Sequence, residues 1–248
     1  MKVLVDNSVL SDAKVAHLSI ESGPPNTNRL LTIQARPLKE QQSRWKQDQI
    51  ECLPTIARLE QKGSLSLCLY EEIIFEKQSS GQSFSRFSFG DLFSQVDFIR
   101  LPSPVRRGIF FPDSVLDPRH QLGLSHFVEW LCEGYSPRIL RSPVVERVIS
   151  AFEISNLQDC GTLKKMCRKV SKKHYADVFH LWAGHVNNIP WFLTTDKKLI
   201  NLADQHHRAL GRCVPISPEM LLEHLGVTER DPMPFEYGQR YSLSGNTE

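Results

Sequence analysis

Three short apolar runs constrain this chain more than any other feature. They are Val3-Leu4-Val5, Leu65-Ser66-Leu67-Cys68-Leu69 and Trp191-Phe192-Leu193. The first and third fit strands buried on both faces, and the second is a strand candidate in its own right. Cys213-Val214-Pro215-Ile216 is a weaker candidate, demoted by its proline. Helical patterns lie between them. Ile50, Leu53, Ile56 and Leu59 recur at helical spacing over about 48–62, with Pro54 disturbing the first half and Gly63 stopping the run. Val178, Leu181, Trp182 and His185 mark a helix over about 174–187, ended by Asn188-Ile189-Pro190. Ser217-Pro218-Glu219 opens a last helix that closes near Gly226. Strands alternating with helices call for an α/β fold, a three-layer α/β/α sandwich with a mostly parallel central sheet.

The rest of the chain is less regular. Residues 22–44 read as an irregular excursion and 78–94 as loop. Helical pieces fall near 124–132 and 143–154, so 78–165 reads as a largely helical insertion in a single domain spanning 1–228. Residues 229–248 read as a polar C-terminal tail. With 248 residues the chain can bury a substantial core. At 40% hydrophobic and 23% charged residues it has the composition of an ordinary globular protein. The opening MKVLVDNSVL is too short and polar for a signal peptide, and no run approaches the length of a membrane span. The six cysteines form no CxxC pair, which points to buried, reduced thiols and a cytoplasmic setting.

Each of the three principal strand candidates is followed closely by a carboxylate: Asp6, Glu71 or Glu72, and Asp196. In a parallel sheet all strand C-termini share one edge, so acids up to 190 residues apart in sequence can meet there. Asp177, in the first turn of its helix, is a fourth candidate. Converging carboxylates repel and raise one another's pKa values. A hard divalent cation such as Mg²⁺ or Mn²⁺ removes that penalty and brings phosphodiester chemistry with it. Thr194 and Ser8 are placed to orient a carboxylate.

These residues carry a resemblance. VLVDNSVL resembles the opening strand of PIN-domain nucleases, and YADVFHLWAGHVNNIPWFLTTDKKL resembles their second half, with Asp177, Ala183, Thr194, Asp196 and Leu199 in the family's places. ISPEMLLEHLG is similar to the family's closing strand and helix. The resemblance covers residues 1–10 and 174–226 and, less fully, 65–76, where Glu72 followed by Ile73 fits better than Glu71. It implies an enlarged PIN-like member in which Asp6, Glu72, Asp177 and Asp196 are the catalytic and metal-binding set. It further implies a Mg²⁺- or Mn²⁺-dependent endoribonuclease acting on single-stranded RNA. Both intervals, Asp6 to Glu72 and Glu72 to Asp177, are longer than the compact toxin-type members need.

The net charge of +2 declares no nucleic-acid binder, so any basic surface must be local. Lys164, Lys165, Arg168, Lys169, Lys172 and Lys173 recur at helical spacing before Asp177. A solvated face explains them; a phosphate grip through Lys169, Lys172 and Lys173 is the functional reading. Arg106 and Arg107 are a weaker pair of the same kind. Ile109-Phe110-Phe111, near Asp113, is structural. The nine histidines match no zinc pattern, and no glycine loop cradles a phosphate. Two alternatives remain: an inactive PIN-like binding or scaffold protein, and a phosphohydrolase with Asp6 as nucleophile. The second wants an Asp at position 8, where Ser8 stands. A membrane is not an expected partner; a homo-oligomer and an inhibitory protein stay open.

Overall fold

The computed structural model describes residues 1–21, 30–37, 43–79, 89–111, 123–206 and 210–242. Eight strands occur among them: β1 (Lys2–Val5), β2 (Ala16–Glu21), β3 (Leu30–Ala35), β4 (Ser66–Leu69), β5 (Ile99–Arg100), β6 (Trp191–Leu193), β7 (Val214–Ile216) and β8 (Arg240–Ser242). Five of them form the central sheet, in the order β5-β4-β1-β6-β7. Every pairing in it is parallel. The chain is therefore α/β with an all-parallel sheet.

β1 lies at the middle, and Val3, Leu4 and Val5 are wholly buried. A strand covered on both faces by other layers has no polar side to show, which is why it reads as an unbroken apolar run. Pro215 is tolerated in β7 because β7 is an edge strand with only β6 to bond. Helices pack in two groups. Arg44–Glu51, Leu53–Gln61 and Pro218–His224 touch one another, and Tyr175–Val186 packs against Leu124–Glu129 and Gly161–Cys167.

Pro54 splits the helix expected over 48–62. Its ring cannot follow Ile50 in a regular turn, so the segment becomes two helices meeting at Cys52. The helix Tyr175–Val186 ends on Asn188, whose φ of 55° is left-handed; Ile189 N–H donates to Gly184 C=O at 2.8 Å to close the turn.

Two expectations need correction. The span 22–44 is not wholly irregular: β3 pairs with β2 and β8 in a separate antiparallel sheet, while 22–29 and 38–42 lie outside the described residues. The polar tail packs on the rest of the chain up to its last described residues: Arg58 binds Asp231 at 2.5 Å and β8 joins β3. The span 78–165 is not purely an insertion, because β5 belongs to the central sheet beside β4. Residues 80–88 of the expected loop, and Asp113, fall outside the described residues. Phe111 packs on Phe127 and Trp130, the structural use expected of that run. All six cysteines are free, and five of them are buried.

Gly184 marks a tight helix-to-strand approach. A Cβ there would stand 2.3 Å from Cys213 Sγ. Gly184→Ala is expected to lower unfolding stability by about 1–3 kcal/mol, the overpacking outweighing alanine's helix advantage. Urea denaturation measures it, and a variant as stable as the parent would refute the close contact.

Candidate functional site

Because β1, β4 and β6 run parallel, Asp6, the Tyr70-Glu71-Glu72 segment and Thr194-Thr195-Asp196 all leave the sheet at one edge. The chain steps from β1 to β4 and β5 on one side, then returns to β6 and β7 on the other. Such a reversal opens a crevice beside the central strand, where α/β proteins bind ligands.

Asp6 precedes the helix Asn7–Asp12, yet its carboxylate makes no capping bond. Oδ2 instead accepts two hydroxyl protons, from Ser8 and from Thr194, each at 2.6 Å. With those protons committed, the hydroxyl oxygens can only accept elsewhere. Thr195 N–H donates to Ser8 Oγ at 3.2 Å, and Asp196 N–H donates to Thr194 Oγ1 at 3.0 Å. Thr194 thus links the Asp6 carboxylate to the backbone of Asp196 through one buried hydroxyl. The exposed Asp196 carboxylate caps the helix Lys197–His206, accepting from Lys198 N–H at 2.8 Å.

Glu72 is wholly buried, with Arg107 Nη2 3.1 Å from its carboxylate but no aligned hydrogen bond to either oxygen. Burial pushes its carboxyl up to about 7, against the pull of Arg107. Glu71 sits in a different field, between Arg106 and Glu153. The two neighbouring acids are thereby told apart: Glu72 faces the crevice groups.

One turn on, Glu76 accepts from His180 Nε2 at 3.3 Å. His180 Nδ1 meets the Tyr70 hydroxyl at 2.7 Å, and its ring stacks on Phe192. Burial opposes charge on His180, but Glu76 outweighs it and lifts the imidazole to about 9. Both ring nitrogens of that imidazolium are donors, which suits the two partners. Burial raises the Asp177 carboxyl; His174, 3.1 Å away, opposes this and Asp6 adds to it. Asp6, Asp177, Glu72, Glu76 and His180 therefore act on one another electrostatically.

The donor chemistry fits a hard divalent cation: oxygen ligands, two with raised pKa values, and a buried carboxylate lacking hydrogen bonds. Among the described residues no three His, Cys, Asp or Glu side chains are grouped to hold a metal. A cation here would rest on one or two carboxylates and water, which is how Mg²⁺ is commonly held.

The basic run is not one surface. Its helix stops at Cys167, and Lys172 and Lys173 lie in a separate 3-10 turn. Lys172 is paired with Glu129 and Glu133, whereas Lys169 and Lys173 are exposed. Arg106 is likewise committed, to Glu153 at 2.8 Å, and Arg107 faces Glu72. Sequence reasoning missed Glu76, although its spacing of four from Glu72 puts both on one helix face. It also passed over His180 as a charge partner.

Fold and site together define an α/β protein with several acids at the carboxyl edge of its parallel sheet. Compared with known protein families, curated proteins and solved structures, the chain matches none. No helix among the described residues is long and apolar enough to cross a membrane.

Proposed function

We propose that this chain is a PIN-like, divalent-metal-dependent endonuclease that hydrolyses phosphodiesters of single-stranded nucleic acid, RNA in the first instance. The observation that carries this reading is the hydroxyl pair Ser8 and Thr194, which donate to the Asp6 carboxylate and accept from the backbone N–H groups of Thr195 and Asp196 at the switch point. It ties the Asp6 carboxylate to the backbone of the turn that carries Asp196 and fixes the Asp6 rotamer. Asp6 and Asp177 would hold a Mg²⁺ or Mn²⁺ ion, with Asp196 completing the set that the resemblance names. Bound there, the ion would supply the Lewis acidity and charge neutralisation that phosphodiester hydrolysis needs. Ser8 and Thr194 orient the Asp6 carboxylate by donating to its Oδ2. His180 keeps Glu76 ionised, holding its proton on Nε2.

One observation favours a second reading, a binding protein without turnover. Arg107 already supplies a positive charge beside Glu72, where a catalytic cation would otherwise compensate it. An assay separates the two. End-labelled, mixed-sequence single-stranded RNA is incubated with the protein and Mn²⁺, with EDTA, and with Asp196→Asn. Asparagine still caps a helix, so this variant should keep its fold while cutting at least about 10-fold more slowly. Cleavage that persists in EDTA would sink the metal-nuclease reading, and intact but bound RNA in every lane would favour the second.

A further inference from the structure

An open groove of about 520 Å³ runs beside the crevice, lined by Ser8, Ser43, Trp45, Lys46, Thr195, Asp196, Lys197 and Lys198. It begins where the acid site ends, since Ser8 donates to Asp6 and Asp196 stands at its wall. One side comes from the start of the helix Arg44–Glu51, the other from the turn after β6 and the start of the helix Lys197–His206.

A strut holds these sides together. Lys46 Nζ pairs with Asp12 and donates to Thr195 Oγ1 at 2.5 Å and to Thr195 C=O at 3.3 Å. Thr195 Oγ1 in turn donates to Asp12 at 2.6 Å. Lys46 is thereby a fixture of the wall, not a free cation. What it fixes is its neighbour Trp45, a half-buried ring at the groove. Lys197 Nζ lies over that ring, 5.5 Å from its centroid, and both Lys197 and Lys198 are exposed. An aromatic ring beside exposed lysines, opening onto carboxylates, is an arrangement that can grip a nucleic-acid strand: with Lys197 swung off the ring, the ring takes a base and the ammoniums take phosphates.

From this geometry we propose that Trp45 is a stacking platform for one base of a single-stranded nucleic acid, with Lys197 and Lys198 contacting the adjoining phosphates. The proposal deepens the nuclease reading and rests on it for the identity of the bound polymer. A single strand is the occupant because only an unpaired, unstacked base offers a free face to the ring; a duplex keeps its bases stacked on one another. Lysines at phosphates confer affinity without sequence choice.

The test is binding of fluorescein-labelled 12-mers by the full chain in EDTA, followed by anisotropy. The probes are a mixed-sequence RNA strand, the same DNA strand and the corresponding duplexes. Trp45→Ala should weaken single-strand binding by about 5- to 150-fold, the range for losing one stacked base. Trp45→Phe should restore most of it. Lys197→Gln with Lys198→Gln should flatten the slope of log affinity against log salt by about 1.4, two single-strand phosphate contacts. Tighter binding of the RNA or of the DNA supports the proposal and names the polymer. The proposal is overturned if Trp45→Ala, melting like Trp45→Phe, binds as tightly as the parent, if duplexes are preferred, or if the parent binds neither strand. The two readings fail separately: binding that depends on Trp45 without Mn²⁺-dependent cleavage leaves the groove and removes the nuclease, whereas cleavage with Trp45-independent binding does the reverse.

Discussion

With divalent cations chelated at pH 8.5, Glu72→Gln is expected to be more stable than the parent chain by about 3 kcal/mol. Glu72 is wholly buried, and burial raises its carboxyl from 4.5 to about 7. An unfolded chain releases that proton near pH 4.5, whereas the folded one keeps it until about 7. The stability this group contributes is complete below about pH 4.5 and is lost as pH rises through 7. Glutamine has the shape of the protonated acid and never ionises. The pull of Arg107 is already contained in the raised value, so it does not reverse the sign. Parent and variant should therefore unfold alike near pH 4 and diverge by pH 8.5. Urea denaturation at the two pH values, in EDTA, reads the difference; an equal gap at both would show that Glu72 is not the titrating group. The consequence reaches function. A buried acid that destabilises the folded chain at neutral and alkaline pH is the pattern expected of a residue retained for chemistry. A bound cation would recover part of the deficit by binding only the folded state.

Asp6→Asn is the second large effect. Cleavage in Mn²⁺ should fall by at least about 100-fold, because a cation that contributes several kcal/mol to the transition state loses a charged ligand. The fold should survive. The amide oxygen of asparagine can accept the same two hydroxyl protons from Ser8 and Thr194, and the Asp6 N–H bond to Leu193 C=O at 2.9 Å involves backbone alone. A thermal midpoint close to the parent's, together with retained strand binding, would separate lost chemistry from lost structure. Parent-like cleavage by Asp6→Asn would dismiss the crevice as the catalytic centre.

The sheet was legible because its strands are buried on both faces, so local composition alone announces them; β1, β4, β6 and β7 all fall on apolar runs. β5, two exposed residues long, carries no such signal and is a strand only because β4 offers it an edge. β3 and β8 escaped for a related reason: an antiparallel sheet outside the main core mixes polar with apolar residues, and β8 pairs with β3 across some 200 residues of chain. The position of Asp6 and Asp196 after their strands could be read from sequence, since parallel strands must share an edge. The choice between Glu71 and Glu72 could not, because it depends on which helix face meets Arg107 and His180 and which meets Arg106 and Glu153. Nor could the fate of the basic run, whose helical period ends at Cys167 and whose Lys172 finds Glu129 and Glu133 on a distant segment. By itself the sequence determined the α/β class, four of the five strands of the central sheet and the edge where the acids emerge, all consequences of short-range pattern. Only the tertiary structure decided how those charges are compensated, because pairing and burial depend on residues far apart in the chain and set each group's field together.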